Sequence, residues 1–305
     1  MDLDLSPDQA ALRDGIASLL EGRFGPERVR AGFGRAMFAE LAEAGVFSLR
    51  ADGFSWADCV IVFEQLGRFC VPGPLVSSLL LGEGRITGLV EDGEDVWIEY
   101  LDWLDDVVVL SGSDARRVEA SAISGEASTW PLDPLTPISK VGRLPAGDMI
   151  NADARERRRE GATLTAALQL GLADRCTEMA VAYAKERVQF DRPIAAFQAI
   201  KHLCADMLVR TEVARAAVYA AGAHLDDLDL ASYADLDRGI SGAKVMAGEA
   251  AVANGKAATQ VFGGMGFTWE VDVHLYLKRA WVLDSHFGSA DVHADVVAGA
   301  LGTAT

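Results

Sequence analysis

Four long segments rich in alanine, leucine and valine fill most of the C-terminal half of this sequence and restrict the folds open to it. They lie at about 162–187, from about 195 to the acidic run at 226–229, at 232–262 and at 271–283. In the second segment the apolar residues recur with a period close to 3.6, as on one face of a helix. Long helices joined by short loops pack against each other, so the pattern predicts an antiparallel four-helix bundle over residues 149–305.

The first part of the chain also has helical patterns, in shorter pieces. Ser6 followed by Pro7 is typical of a helix start, because a serine side chain caps free amide groups and proline suits the first turn. Further helices are predicted over about 36–44, where Gly45 marks the end, 55–68 and 75–81. These segments form a predicted N-terminal helical domain, residues 1–83.

Residues 84–148 follow a different pattern. Runs rich in β-branched and aromatic residues at about 96–100, 106–110 and 118–122 are typical of strands, and a turn-rich stretch follows at 130–134. The sequence therefore predicts a mainly α protein with a small β domain in the middle.

Composition excludes several classes of partner. The 305 residues include 28 basic and 45 acidic side chains, a formal charge of −17, which disfavours nucleic acid and anionic membranes. No apolar run approaches the roughly 20 residues that span a bilayer. The N-terminus lacks a basic-then-apolar signal peptide, so we expect a cytoplasmic protein. The four cysteines form no CxxC pair, and no metal site is predicted.

Two segments near the ends of the predicted bundle helices carry the most specific pattern. The first reads ERVQFDRP at 186–193 and continues as FQAIKH at 197–202; the second reads QVFGGMGF at 260–267. Weaker echoes are FAELAEAG at 38–45 and VFEQLGR at 62–68. In these motifs, and in the order of its domains, nearly the whole chain resembles the acyl-CoA dehydrogenase family.

The resemblance implies FAD as cofactor and a role for each matched residue. Arg187 would contact the FAD pyrophosphate through a charge-assisted hydrogen bond. Phe190 would offer a flat apolar surface near the adenine or ribose, and Gln198 would hydrogen-bond the dinucleotide. Without the rest of the motif, Arg187 would more often be a surface arginine at a helix end. Phe190 alone would be read as a core residue.

The second motif would complete the contact to the same cofactor. Gln260 and Val261 precede Gly263 and Gly264, whose missing side chains would let backbone amides approach the ligand. A glycine cluster alone also ends many helices. In the family these contacts reach across a dimer interface, to an FAD held mainly by a neighbouring subunit.

The chain departs from the family where the chemistry should occur. The family carries an aromatic-Glu-Gly-Thr stretch with the glutamate as catalytic base, whereas residues 286–289 read HFGS and place Phe287 at that position. Some members place the base at the start of the first bundle helix, where Glu160 lies beside Gly161. Glu160 is therefore a candidate base, with another carboxylate of the chain as the alternative, although a solvated charged helix start is the simpler interpretation. The β domain also lacks the family segments that hold the isoalloxazine ring.

These features predict a non-catalytic subunit that completes the FAD site of a larger, glutamate-bearing partner. The chain resembles the smaller subunits of the α2β2 acyl-CoA dehydrogenases of actinobacterial sterol side-chain degradation. The resemblance implies α,β-dehydrogenation of a bulky steroid acyl-CoA that is bound mainly by the partner, with electron-transferring flavoprotein as an electron acceptor. Two alternatives remain open: a self-sufficient homomeric dehydrogenase with a relocated base, and a pure scaffold subunit.

Overall fold

The computed structural model of the chain describes residues 4–227 and 233–302, and it divides the chain into two compact units. Unit 1 comprises Met1–Pro26, Trp56–Val71 and Ala162–Thr305, and unit 2 comprises Glu27–Ser55 and Pro72–Gly161. The three domains at 1–83, 84–148 and 149–305 remain a prediction.

The fold class predicted from the sequence, mainly α with a small β part, is confirmed. Among the described residues the helices are α1 (Pro7–Arg23), α2 (Pro26–Arg30), α3 (Arg35–Glu43), α4 (Trp56–Arg68), α5 (Leu75–Leu81), α6 (Ala154–Glu186), α7 (Gln198–Asp226), α8 (Tyr233–Phe262), α9 (Val273–Asp284) and α10 (Ala290–Gly302). In this described part of the chain, no helix combines the length and apolarity needed to cross a bilayer.

The predicted start of the first helix is confirmed in detail. The Ser6 hydroxyl accepts a hydrogen bond from the Gln9 backbone N–H at 3.2 Å, and the Gln9 side chain accepts one from the Ser6 N–H at 3.1 Å. This reciprocal pair is a capping box, and Pro7 occupies the first helical position. Gly45 follows α3 with a φ of +80°, as a helix-ending glycine should.

Some predicted boundaries are wrong by several residues. α6 begins at Ala154 rather than near 162, because its first turns are charged and lack apolar periodicity; an Asp153 carboxylate accepts from the Arg155 N–H at 2.8 Å there. The strand predicted at 118–122 ends at Glu119 and continues as a 3-10 turn. The predicted start of the third bundle helix at Ser232 lies outside the described residues.

Two glycines let α4 and α6 touch backbone to backbone in unit 1. A methyl group at Gly67 would overlap the carbonyl of Leu168, and one at Gly171 would overlap the carbonyl of Glu64. The bundle helices are also joined by a fully buried amide, Asn254 on α8. It donates to the Met207 carbonyl of α7 at 3.0 Å and to the Ala173 carbonyl of α6 at 3.3 Å, so one polar side chain fixes three helices together.

Unit 2 contains two small sheets. Their strands are β1 (Thr87–Glu91), β2 (Val96–Glu99), β3 (Asp106–Ser111), β4 (Asp114–Glu119), β5 (Gly125–Ala127), β6 (Ile138–Val141) and β7 (Asp148–Ile150). One sheet has the order β1-β3-β4-β7, with β1 parallel to β3 and the other pairs antiparallel, and the second has the antiparallel order β2-β6-β5. The central strand β3 is buried from Asp106 to Leu110, which places the core of unit 2 at this strand.

Candidate functional site

The first motif folds into a tight hairpin in unit 1. β8 (Val188–Gln189) pairs antiparallel with β9 (Arg192–Pro193), and Phe190 and Asp191 form the turn with φ values of 54° and 62°. Asparagine and glycine are preferred at such left-handed positions, and a phenylalanine there costs about 1–3 kcal/mol. The Phe190 ring is 85% exposed, so it is not a core residue. The hairpin therefore holds an aromatic ring in solvent in spite of the conformational strain at Phe190.

A cation and a second aromatic ring accompany Phe190. The Phe197 ring lies edge-on to the Phe190 ring, with centroids 6.0 Å apart. The Arg192 guanidinium lies 4.2 Å from the centroid of the Phe197 ring, close enough for a cation–π interaction. Arg192 lies within the first motif, but nothing in the sequence marks it as a ring-contacting cation.

Arg187 directly follows the last residue of α6. Its backbone is fixed at both ends: its N–H donates to the Tyr183 carbonyl at 2.9 Å, and its carbonyl accepts from the Ile194 N–H at 2.8 Å. The side chain is exposed, and it makes no ion pair or hydrogen bond with any residue that the structure describes. The guanidinium is therefore a free cation on a fixed backbone, as an anion-binding residue requires.

Gln198 is the first residue of α7. The preceding residue, Phe197, caps the helix without a side-chain hydrogen bond. The first amides of a helix lack partners within it and attract anionic groups. The Gln198 side chain is exposed and forms no hydrogen bond within the described ranges.

The second motif ends α8 and turns into a 3-10 helix at Gly263–Phe267. Gly263 has a φ of +62°, and neither Gly263 nor Gly264 has a heavy atom within 4 Å of the position that a Cβ would take. Both glycines therefore face open space rather than a packed neighbour. Gln260 is exposed, but Val261 is only 5% exposed, so only its backbone is available to a ligand.

An aromatic stack holds the two motifs together. The Tyr183 ring lies parallel to the Phe262 ring, with centroids 4.2 Å apart and an interplanar angle of 16°. The Tyr183 hydroxyl donates to the Met265 sulfur at 3.7 Å. Sequence reasoning missed Tyr183; its position one helical turn before Arg187 was the only signal.

This surface fits the outer part of a dinucleotide. It offers a free guanidinium for a phosphate, two exposed amides for hydrogen bonds, open glycine backbone and an exposed ring for stacking. These are groups that could hold the adenosine and pyrophosphate of FAD. Small-ligand sites bury about 70–90% of the ligand. Because Arg187, Phe190, Gln198 and Gln260 are all exposed, the surface is one-sided.

The segment where the family carries its base holds no carboxylate between Ser285 and Ser289. Phe287 and Gly288 both have positive φ, 56° and 109°. The buried His293 holds this segment in place. Its Nε2–H donates to the Phe287 carbonyl at 3.0 Å, and its Nδ1 accepts from the Ser241 hydroxyl at 3.0 Å. Burial and the nearby Lys244 lower the pKa of His293, which keeps the ring neutral.

Lys244 fixes the helix that leads into this segment. It is almost fully buried on α8, and its ammonium donates to the Leu283 and Asp284 carbonyls at 3.2 Å each. It therefore caps the C-terminus of α9, where a cation is favourable. Burial lowers the pKa of Lys244 to about 8.

Glu160, the candidate base, lies in unit 2. Its side chain is buried beside Arg157, with the Arg157 guanidinium 2.8 Å from a carboxylate oxygen. Burial, opposed by the Arg157 charge, raises the pKa of Glu160 to about 7. The interpretation of Glu160 as part of a solvated helix start is therefore wrong, and a pKa near neutrality is one that a general base can use.

The fold and the surface together define a class of protein: a long-helix bundle with a small β part and an open, one-sided set of nucleotide-type contacts. Residues 153–302 match the family model "Acyl-CoA dehydrogenase, C-terminal domain". The acyl-CoA dehydrogenase IpdE2 of Mycolicibacterium smegmatis is 32% identical over 301 residues, covering 90% of this chain and 93% of the relative. The chain belongs to the acyl-CoA dehydrogenase family, whose enzymes are FAD-dependent.

A longer relative and two solved structures extend the comparison. The acyl-CoA dehydrogenase FadE34 of Mycobacterium tuberculosis is 32% identical, covering 90% of this chain but only 43% of its own length. The ChsE4–ChsE5 complex of the same organism contains a chain of the same fold, with a TM-score of 0.86, 20% identity and full coverage of both chains. The Tcur3481–Tcur3483 steroid acyl-CoA dehydrogenase G363A variant matches with a TM-score of 0.82 and 18% identity, over 97% of this chain and 98% of that chain.

Proposed function

We propose that this chain is the non-catalytic subunit of a heteromeric FAD-dependent acyl-CoA dehydrogenase, and that it completes the FAD site of a glutamate-bearing partner. The observation that best supports this proposal is the one-sided surface around Arg187: the side chains of Arg187, Gln198 and Gln260 are exposed and make no hydrogen bond or ion pair with a described residue. A partner that holds the rest of the FAD would bury these groups. The Phe287 segment, which lacks a carboxylate, agrees with a base on the partner.

In this proposal each residue of the chain has a limited task. FAD, when bound, would supply the hydride-accepting chemistry. Arg187 would neutralise its pyrophosphate, Gln198 and Gln260 would hydrogen-bond the dinucleotide, and Phe190 would stack on its adenosine end. Gly263 and Gly264 allow the backbone to approach, with Val261 contributing only backbone atoms.

The comparisons support a pair of unlike chains. The chain aligns with less than half of FadE34, which leaves room in that protein for a second region of similar size. ChsE4–ChsE5 is described as a complex, and the Tcur3481–Tcur3483 protein as a steroid acyl-CoA dehydrogenase. For this chain we further propose an α2β2 assembly in the cytoplasm, a bulky steroid acyl-CoA as substrate, and electron-transferring flavoprotein as an electron acceptor.

The test is the flavin content of the co-purified complex. Arg187→Ala should lower the bound FAD several-fold, because it removes the charge-assisted contact to the pyrophosphate. The matched control is Arg238→Ala, a surface arginine of α8 that pairs with Asp235 at 2.8 Å. Unchanged flavin in the Arg187 variant would favour the pure scaffold role instead.

One observation favours a second candidate, a self-sufficient dehydrogenase that uses Glu160 as its base. The pKa of this carboxyl, raised to about 7, suits proton abstraction near neutral pH. Glu160→Gln should leave turnover of the complex unchanged if the partner owns the base. Loss of turnover with flavin retained would identify Glu160 as the base.

A further inference from the structure

Exposed aromatic rings concentrate on the two motifs and directly after the second one. Among the described residues, four phenylalanine or tryptophan rings are more than 60% exposed. Three of them lie in unit 1: Phe190 at 85%, Phe267 at 80% and Trp269 at 62%; the fourth, Trp130, lies in unit 2. The proposed FAD contacts use Phe190 but leave Phe267 and Trp269 without a task. Apolar groups exposed together mark an interaction surface.

The Trp269 ring is held in one place. It lies edge-on to the ring of the buried His274 on α9, with centroids 4.9 Å apart and an interplanar angle of 84°. The turn before it is closed by Thr268, whose N–H and hydroxyl both donate to the Met265 carbonyl at 2.9 Å. A ring that is already ordered loses little conformational freedom when a partner covers it, so its burial contributes to affinity.

A cation lies beside this ring. The Lys278 ammonium is 5.3 Å from the centroid of the Trp269 ring, within the range of a cation–π interaction. Lys278 is partly buried and forms no ion pair with a described residue. The first motif and its flanks, residues 185–202, also carry four basic side chains against two acidic ones, in a chain of charge −17. A carboxylate beside an apolar pocket is the chemistry that complements such a surface.

The aromatic residues continue the proposed FAD surface. Phe267 lies two residues after Met265, whose sulfur accepts from the Tyr183 hydroxyl, and Tyr183 lies one helical turn before Arg187. A stable interface buries about 800 Å² on each partner, far more than one guanidinium and two amides supply. A partner that covers Arg187 therefore needs further contact area, and Trp269 offers it. Two copies of this chain would repel each other through their like charge, which favours an unlike chain as the occupant.

We propose that Trp269, with Phe267 before it and Lys278 beside it, is the anchor that docks the glutamate-bearing partner chain. The partner face receives the indole in an apolar pocket and places a carboxylate near Lys278. The anchor acts between the two proteins, so it does not require bound flavin. This inference rests on the proposed function, because it takes the same partner.

The test is the dissociation constant of the co-purified complex, measured by sedimentation velocity on dilution, with FAD bound and after its removal. Trp269→Ala should raise the Kd at least about thirtyfold in both forms, as the loss of a hot-spot tryptophan does. Trp269→Phe keeps an aromatic ring and should weaken association much less. Trp130→Ala is the matched control, an exposed tryptophan of unit 2, and should leave the Kd unchanged.

Lys278 tests the chemistry of the partner face and carries the test if Trp269→Ala does not fold. Lys278→Glu sets a carboxylate against a carboxylate, so it should slow association several-fold at low salt. Lys278→Met should flatten the decrease of the association rate constant with rising salt. Wild-type association rates in both variants would overturn the assignment of a carboxylate to the partner face.

The remaining outcomes separate docking from flavin sharing. An unchanged Kd in Trp269→Ala would overturn the proposal. Loss of flavin from a Trp269→Ala complex that stays associated would overturn it too, because the ring would then be a cofactor contact. Self-association of this chain through Trp269, with no unlike partner bound, would assign the surface to a second copy and overturn the proposed function as well. Arg187→Ala should lose FAD yet keep the Kd of the FAD-free complex, so the two proposals can fail separately.

Discussion

The ring of Tyr183 stacks on the ring of Phe262 at 4.2 Å, and this contact joins the end of α6 to the glycine segment that ends α8. Arg187 begins one turn after Tyr183, and Gly263 directly follows Phe262. The two halves of the candidate FAD surface are therefore aligned by a pair of side chains that need not touch the cofactor themselves.

Replacing Tyr183 should disturb the alignment of the segment after α6 with the glycine segment that ends α8. Tyr183→Leu should lower the free energy of unfolding by about 1 kcal/mol through loss of the ring pair and reduce the flavin bound by the complex. Tyr183→Phe keeps the stack and loses only the contact to Met265, so it should retain flavin. The measurements are denaturant unfolding and FAD content; normal flavin in the leucine variant would refute the positioning role.

A buried ion pair between Arg215 and Glu64 should contribute strongly to the stability of unit 1. Glu64 is buried on α4, and its other carboxylate oxygen accepts from the Tyr219 hydroxyl at 2.6 Å. Arg215→Met leaves a buried carboxylate without its cation and should cost about 3 kcal/mol. Arg238→Met, at an exposed pair, should cost less than about 1 kcal/mol. Similar losses in urea unfolding of the two variants would contradict this account.

Glu160 should make the protein less stable as the pH rises. Its pKa is raised from 4.5 to about 7, so the folded state binds this proton more tightly than the unfolded state. Stability is therefore lost as the pH rises from about 4.5 through 7. Glu160→Gln should match the wild type near the lower pH and exceed it by about 3 kcal/mol above pH 7. A constant difference between the two unfolding curves across this range would show that the carboxyl titrates normally.

His293 should have the opposite effect at acidic pH. Its folded pKa lies below 6.5 because of burial and Lys244, so the unfolded state binds the proton more tightly. Stability should fall as the pH drops through 6.5, since protonation also removes the acceptor that Nδ1 offers to the Ser241 hydroxyl. His293→Gln should flatten this part of the Tm-against-pH curve. Retention of the full slope in that variant would assign it to other groups.

The sequence was a good guide to helices and a poor one to turns and long-range pairs. Apolar periodicity located the bundle helices, and the capping residues at Ser6 and Gly45 located two ends correctly. The charged start of α6 has no apolar period, so its first turns were missed. The left-handed turn at Phe190 could not be predicted, because the sequence has no asparagine or glycine at that position. The stack of Tyr183 on Phe262 joins residues far apart in the chain, and single-sequence patterns do not report such pairs.

The site was predicted unevenly for the same reason. The motifs identified Arg187 and Gln260 as candidate cofactor contacts. The structure brings their segments together through the stack of Tyr183 on Phe262, and Tyr183 lies outside both motifs. Glu160 illustrates a different limit: its neighbours in sequence are charged, but the folded chain buries its side chain, and this burial raises its pKa.

The most direct test of the shared-site account is the visible flavin absorbance of this chain purified alone and co-purified with a catalytic acyl-CoA dehydrogenase partner. The account predicts a colourless chain alone, because its contact surface is one-sided, and a yellow complex with about one FAD per pair of unlike chains. A yellow, flavin-loaded chain without a partner would contradict it and direct the search for the base to Glu160.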